Sequence, residues 1–157
     1  MPEPKPVVKL PPVEQVGIVV KDMDKAIQYY TDVFGIGPFR VVERRQDFAY
    51  KGKTVNCRLK LAFAMSGPLE IELIQVLEGE TPHTDFIREH GEGLHHLRFR
   101  VENLDGMLAS LAKVGIHSIF NWAIPNSTGG FAYVNSDKVG GVMFELIERK
   151  DPPKEGK

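Results

Sequence analysis

Cysteine, a surplus of either charge and long apolar runs are all scarce in this sequence of 157 residues. Cys57 is the single cysteine, so no disulfide can form within the chain, and a reducing compartment is expected. Twenty lysines and arginines face 21 aspartates and glutamates, which leaves none of the basic excess typical of nucleic-acid-binding proteins. No apolar run approaches the ~20 residues that a membrane-spanning helix needs. We therefore expect a cytoplasmic protein that binds neither nucleic acid nor membrane.

Proline is concentrated at the N-terminal end. Residues 1–12 contain five prolines, which obstruct helices and central strands alike, and this segment lacks the apolar stretch of a signal peptide. Residues 151–157 are polar and show no apolar periodicity. The sequence thus predicts a flexible proline-rich tail over 1–12, a single domain over 13–150, and a polar tail over 151–157.

The same order of elements is predicted twice along the chain. The segment VGIVVKDMDKA at 16–26 aligns with LRFRVENLDGM at 97–107, which lies 81 positions later. In each half a strand leads through a helix N-cap residue, Asp22 or Asn103, into an amphipathic helix that ends at a glycine. Further strands are predicted near 38–45, 53–64, 69–76, 116–122, 129–135 and 142–148, and a short helix near 82–90. The repeat predicts an α+β fold of paired βαβββ modules, 13–76 and 94–148, with helices 23–34 and 104–114 covering the outer apolar faces.

Polar residues occupy matching places in the two halves. Gln15 and His96 lie opposite the apolar face of the first strand of each module, and they are 81 positions apart. In the last strands, IELIQ and FELIE, Glu72 and Glu145 likewise lie opposite apolar neighbours. A lone polar residue on a strand is usually a solvent-facing side chain. The repetition of all four favours a shared site facing away from the helices, with mixed nitrogen and oxygen ligands that do not single out one metal.

At these residues the chain resembles the vicinal oxygen chelate superfamily, which includes glyoxalases, bleomycin resistance proteins and dioxygenases. The segments GEGLHHLRFRV at 91–101, EGETPHTDFIREH before it and GGVMFELIE near the end look most like methylmalonyl-CoA epimerases. The resemblance covers about 13–149. It implies one divalent metal ion (Zn, Co, Ni, Mn or Fe) held by Gln15, Glu72, His96 and Glu145. It also implies a homodimer acting on a small carbonyl substrate, an acyl-CoA or a ketone.

The implied activity is that of a metal-dependent epimerase or racemase, in which a base removes a proton next to a carbonyl and the metal stabilises the enolate. Glu145 is predicted as the base from its family counterpart, with Glu72 second. Two positions differ from the epimerases. Gln15 stands where the epimerases generally carry histidine. The resulting set of Gln, Glu, His and Glu is similar to the ligand set of the animal glyoxalase I type. No Asp or Glu occurs between Asp47 and Glu70, where the epimerases carry a second glutamate base.

Three other functions remain open from the residues. One is a racemase of a ketone without CoA, such as dihydrodaidzein, and another is a glyoxalase I-like isomerase (lactoylglutathione lyase). The third belongs to a different class, a non-catalytic small-molecule-binding protein on the same fold. Metal content, followed by solvent deuterium exchange into carbon acids, distinguishes the catalytic functions from the binding protein.

Two cationic residues and one further histidine are candidates for a role near the four predicted ligands. Arg98 shares the face of His96 and either clamps an anionic substrate or pairs with Glu70. Lys60 is a second candidate for substrate binding. The alternative is that it is an ordinary surface lysine exposed to solvent. Alternation along the strand places His95 on the face opposite His96, which predicts a structural or interfacial role.

Overall fold

The computed structural model describes residues 1–123, 129–136, 138 and 140–149. Three helices and eight strands are present in this part of the chain. The helices are α1 (Met23–Phe34), α2 (Pro82–His90) and α3 (Leu104–Ala112). The strands are β1 (Gln15–Val19), β2 (Arg40–Tyr50), β3 (Lys53–Ser66), β4 (Leu69–Glu78), β5 (Gly93–Arg100), β6 (Ser118–Ala123), β7 (Gly129–Val134) and β8 (Met143–Arg149).

The helix N-termini form where capping residues were predicted. The carboxylate of Asp22 accepts a hydrogen bond of 3.1 Å from the backbone N–H of Lys25 at the start of α1. The amide oxygen of Asn103 accepts one of 2.8 Å from Gly106 at the start of α3. Each bond satisfies one of the free N–H groups of a helix's first turn, which fixes where the helix begins.

The eight strands close into one barrel in the order β1-β4-β3-β2-β6-β7-β8-β5. Among the described strands, β1–β4 and β5–β8 run parallel, and the other neighbouring pairs are antiparallel. Each parallel pair joins the first and last strands of one βαβββ module. The paired modules predicted from the sequence repeat are therefore confirmed.

The register between the modules follows the repeat. Gln15 lies opposite Arg98, and Gly17 lies opposite His96. Because residues 15 and 17 correspond to 96 and 98 at the 81-residue offset, the β1–β5 pairing has the same form seen from either strand. In each module the last strand then places a glutamate beside the first, with Glu72 opposite Gly17 and Glu145 opposite Arg98. The four candidate ligands consequently meet where the two modules join.

The apolar core has three parts. One lies under α1 around Met23 and Leu73, and a second lies under α3 around Leu104 and Leu146. The third lies inside the barrel and consists mainly of aromatic side chains, among them Phe48, Phe120 and Tyr133. The two outer parts fix the helices to the sheet, whereas the inner part fills one end of the barrel.

The predicted boundaries differ from the observed ones mainly at β2. This strand was expected to end near residue 45 but continues to Tyr50, because it pairs with β3 along its full length. Helix α3 ends at Ala112 rather than near 114. Residues 1–12 contain no helix or strand, yet Val8 and Leu10 pack against the core under α3. The predicted tail at 151–157 lies outside the described residues.

Among the described helices, none combines the length and the apolar character needed to cross a lipid bilayer.

Candidate active site

Oxygen atoms of three buried side chains surround the Nε2 atom of His96. Glu145 Oε2 lies 3.0 Å from it, Gln15 Oε1 3.2 Å and Glu72 Oε2 3.4 Å. Gln15 and His96 have no exposed surface, and the two glutamates are less than one-tenth exposed. These are the four residues that the sequence repeat singled out, and the fold brings all of them together.

Two neighbours set the orientation of this cluster. A Cβ atom added to Gly17 would lie 2.0 Å from Cε1 of His96, so the imidazole rests against β1 in space that only glycine leaves free. The side-chain amide of Gln15 donates a hydrogen bond of 2.8 Å to Glu70 Oε1. Because that carboxylate accepts the NH₂ group, the carbonyl oxygen of Gln15 is turned toward His96.

The donor set fits a divalent cation. One imidazole nitrogen carries at most one hydrogen, yet three oxygen acceptors lie around Nε2 of His96. Ligand atoms of Glu72, His96 and Glu145 all lie within 4.8 Å of one another. One nitrogen and three oxygens suit zinc, manganese, iron, cobalt or nickel, and two carboxylates balance a double positive charge. Gln15, Glu72, His96 and Glu145 would hold the ion.

The electrostatics of the metal-free cluster reflect the crowding of charge. Burial alone would lower the pKa of His96, but hydrogen bonds to Glu145 and Glu72 raise it to about 9. Burial raises the pKa of the Glu72 carboxyl, against the opposing effect of His96. The proton on His96 thus occupies the place where a cation would otherwise neutralise the two carboxylates.

A cavity of about 460 Å³ inside the barrel reaches the cluster, and Glu72 and Glu145 both line it. On β3 the cavity-facing side chains are apolar: Leu59, Leu61 and Phe63. Within the described residues, β2 pairs with β6 only through Ala49 and Tyr50. Among the described residues, the earlier part of β2 therefore has no partner in β6, and its residues Arg40, Arg44 and Gln46 line the cavity.

Arginines that the sequence analysis did not select line the cavity. Arg40 and Arg44 project from β2, and Arg149 projects from the end of β8. Arg40 lies 4.8 Å from the centre of the Phe63 ring. Within the described part of the chain, no carboxylate lies in ion-pair distance of these three guanidinium groups. Alternation along RVVERRQDF was the available signal, since it places residues 40, 44, 46 and 48 on one face.

The two predicted substrate-binding cations are placed differently. Arg98 lines the cavity, but its Nε lies 2.9 Å from Glu14 and an NH₂ group lies 3.3 Å from Glu70. The ion pair with Glu70 that the sequence suggested is thus present. Lys60 lies between the inward-facing Leu59 and Leu61, so its side chain leaves the barrel and its Nζ pairs with Asp24 at 2.9 Å. Lys60 does not line the cavity.

Two further histidines and a tyrosine lie behind His96. The expectation that His95 faces away from His96 is wrong, since their Nδ1 atoms are 3.2 Å apart. A bulge in β5 causes this: Gly17 pairs with His96 and Ile18 with Leu94, which leaves His95 as an extra residue. Tyr133 Oη lies 3.4 Å from His96 Nδ1 and 2.9 Å from His83 Nε2. Strand alternation gave no signal for this cluster.

Burial keeps this second group neutral. It lowers the pKa of His95 to about 3 and holds that of His83 well below its usual value. Burial, with Glu145 and Glu72 nearby, holds the pKa of Tyr133 well above its usual value. Each of these side chains therefore acts as an uncharged hydrogen-bonding group near neutral pH.

Known proteins with similar sequences and folds agree with this architecture. The chain is 27% identical to mouse mitochondrial methylmalonyl-CoA epimerase over 146 residues, covering 92% of this chain and 76% of the mouse protein. It is 25% identical to the uncharacterized Bacillus subtilis protein YqjC over 138 residues, covering 87% and 91% of the two chains. The crystal structure of methylmalonyl-CoA epimerase from Mycobacterium tuberculosis shares the fold, with a TM-score of 0.63, 24% identity, and coverage of 91% and 90%.

The sequence also matches a protein-family model over residues 14–134, and this span includes most of both modules. Together with the closed barrel of paired βαβββ units, the match places the chain: it belongs to the glyoxalase/bleomycin resistance protein/dioxygenase superfamily.

Proposed function

We propose that this protein is a metal-dependent epimerase or racemase that transfers a proton at the carbon next to a carbonyl group. The observation that carries this proposal is the convergence of Gln15, Glu72 and Glu145 on Nε2 of His96 in the wall of an inner cavity. The similarity to methylmalonyl-CoA epimerases supports the same class of reaction. We also propose that the protein forms a homodimer and is located in the cytoplasm.

The metal, when bound, would polarise the substrate carbonyl and stabilise the negative charge that develops on its oxygen. Glu145 removes the α-proton and returns it, since its carboxylate is buried and lines the cavity. Glu72 reaches the same cavity from the corresponding strand of the other module. The apolar inner face of β3 supports Glu72, rather than a residue of β3, as the partner that acts on the opposite face of the planar intermediate.

The charges along the cavity favour an anionic substrate. Among the described residues, four arginines and four glutamates line it, so a bound divalent cation would make this part of the lining positive by two charges. Three of the arginines, Arg40, Arg44 and Arg149, lack carboxylate partners within the described residues and are available to carboxylate or phosphate oxygens. An acyl-CoA substrate such as methylmalonyl-CoA, which carries both groups, fits these charges best.

A glyoxalase I-like isomerisation is the second candidate. Gln15 at the first ligand position and the absence of a carboxylate on the inner face of β3 favour it specifically. In that reaction the proton returns to the adjacent carbon of a glutathione hemithioacetal. The same glutamates would carry the proton, so substrate specificity separates the two candidates.

Proton exchange in deuterium oxide tests the proposal directly. The metal-loaded protein is incubated with methylmalonyl-CoA, with the methylglyoxal–glutathione adduct and with an isoflavanone, and loss of the α-proton is followed by NMR. We expect rapid exchange with methylmalonyl-CoA, and none after chelation or in the His96→Ala variant. His117→Ala, which removes a histidine outside the cavity lining, is the matched control. Tight metal binding without exchange into any of the three compounds would instead identify a binding protein.

A further inference from the structure

The imidazole of His96 has two differently occupied sides. Its Nε2 faces the three oxygen ligands, whereas its Nδ1 faces Tyr133 Oη at 3.4 Å and His95 Nδ1 at 3.2 Å. A histidine that ligates a metal through Nε2 carries its hydrogen on Nδ1, and the partner of that hydrogen fixes the orientation of the ring. The groups that contact Nδ1 therefore influence how His96 would bind a metal, although none of them is one of the four candidate ligands.

These groups continue into a buried chain. Tyr133 Oη is 2.9 Å from His83 Nε2, and His83 Nδ1 is 3.3 Å from Thr81 Oγ1. Thr81 is the N-cap residue of α2, and its Oγ1 accepts the backbone N–H groups of His83 and Thr84 at 3.2 Å each. Thr81, His83, His95 and Tyr133 are all at most 4% exposed. The chain thus runs without a break from the candidate metal ligand to the end of a helix.

The hydrogens of this chain have one arrangement that suits a metal on Nε2. His96 Nδ1–H donates to Tyr133 Oη and the Tyr133 hydroxyl donates to His83 Nε2, which leaves the hydrogen of neutral His83 on Nδ1, facing Thr81 Oγ1 beside the two backbone N–H groups that this oxygen accepts. His95 Nδ1 then serves as a second acceptor for the hydrogen of His96. The reverse arrangement, in which the Thr81 and Tyr133 hydroxyls point the other way, puts a hydrogen on His96 Nε2 and directs it at Glu145.

We propose that Tyr133 and His83 are positioning residues that hold His96 with its hydrogen on Nδ1, so that Nε2 is left free to bind the metal. This role rests on the proposed metal site and goes beyond it, because neither side chain contacts the ion. It also connects the metal site to the N-terminus of α2 through Thr81.

Metal affinity of paired variants tests the role. The affinity for zinc is measured by competition with a chromogenic chelator. Tyr133→Phe should weaken it about 10- to 100-fold, the usual effect of removing such an outer partner. Tyr50→Phe is the matched control, since it removes another buried, hydrogen-bonded phenol from the same aromatic cluster. His83→Leu should weaken binding similarly, whereas His83→Gln, which keeps a polar group near the place of Nε2, should restore most of it.

The hydrogen position on His96 provides a readout that a general loss of packing would not move. Long-range ¹⁵N–¹H NMR spectra of the zinc-loaded protein should show His96 with hydrogen on Nδ1 and ligation through Nε2. The opposite tautomer in the loaded wild-type protein would overturn the inference, and this measurement needs no variant to fold. Equal zinc affinity in Tyr133→Phe, His83→Leu and wild type would overturn it as well. Undiminished affinity in His96→Ala would instead overturn the metal site itself, so the two failures are distinguishable.

Discussion

Glu72 and Glu145 present carboxylates to one cavity from corresponding strands of the two modules, and their separate roles can be tested by removing one charge at a time. Glu145→Gln keeps an oxygen ligand but loses the proton acceptor. We expect it to retain metal and to lose about 10²- to 10⁴-fold in exchange rate. The measurement is α-proton exchange at matched metal occupancy. Glu102→Gln, an exposed change of the same kind, is the control.

The companion variant Glu72→Gln addresses the second proton transfer. If the two glutamates act on opposite faces of the intermediate, this variant slows exchange from one substrate enantiomer more than from the other. Equal slowing of both enantiomers would assign Glu72 to metal binding alone. A wild-type exchange rate in Glu145→Gln would make Glu145 a ligand without a role as base.

The sequence predicted the four candidate ligands because duplication leaves them at matching positions in two aligned segments. It did not reveal Tyr133, His83 or the cavity arginines. Tyr133 and His83 lie on a strand and a helix with no equivalent pattern in the other module, and the fold brings Tyr133 to His96 and His83 to Tyr133. For Lys60, residue type alone suggested anion binding, whereas the alternation of Leu59 and Leu61 sends its side chain outward.

At the scale of secondary structure, the helix starts and most strands could be predicted, since capping residues and apolar periodicity are local signals. The end of β2 could not. Its polar segment ERRQD has the composition of a loop, and the strand is held by pairing with β3 rather than by burial of its own side chains. Barrel closure depends similarly on distant pairings such as β2–β6, which no local pattern records.

The contact between β1 and β5 gives a test of how backbone shape sets the site. Gly17→Ala adds a Cβ atom that would lie 2.0 Å from His96 Cε1, so the imidazole must move. We expect zinc affinity to fall at least tenfold and the free energy of unfolding to fall by about 1–3 kcal/mol. Chelator competition and urea unfolding measure the two effects.

Gly106→Ala serves as the control for Gly17→Ala. It is the control for zinc affinity, since the added Cβ there would approach the capping side chain of Asn103 at the start of α3 and no residue of the cavity lining. Unchanged metal affinity in Gly17→Ala would show that the ring of His96 does not depend on the open space above β1.

The attachment of α2 to β2 makes a pH-dependent contribution to stability. Asp85 pairs with Lys51 at 2.7 Å and with Arg88 at 3.1 Å, and it accepts a hydrogen bond from the Tyr50 hydroxyl. Burial alone would raise the pKa of Asp85, but the bonds from Lys51 and Tyr50 lower it below the usual 3.8. A depressed carboxyl pKa stabilises the fold above that usual value, and the stabilisation is lost as the pH falls through the folded-state value.

Asp85→Asn should therefore lower the free energy of unfolding by about 1.5–3 kcal/mol at pH 7. The difference from wild type should disappear as the pH falls well below 3.8, which urea unfolding across a pH series would measure. The control is Asp24→Asn, whose carboxylate is 84% exposed and pairs with Lys60 at the surface. A difference that persists at low pH would mean that Asp85 acts through packing and not through its charge.

For the whole molecule, the candidate metal joins β1, β4, β5 and β8, so its binding should stabilise the complete fold. At a zinc concentration 100-fold above the dissociation constant the gain is about 2.7 kcal/mol. For a chain of this length that corresponds to a rise in melting temperature of roughly 5–11 °C. Calorimetry with zinc and with chelator measures the shift. His96→Ala should abolish it, and an equal shift in that variant would place the stabilising ion elsewhere.

The division of the ligands between the modules has a consequence for the history and the chemistry of the chain. A single βαβββ unit carries only two of the four candidate ligands. Two copies of such a unit would have to associate about a twofold axis to complete the site. The two halves are not identical at this site, since an amide stands at position 15 where the other half has the imidazole of His96. The approximate twofold relation between the modules pairs Glu72 with Glu145, and in the proposed epimerisation it would place one carboxylate on each side of a planar intermediate.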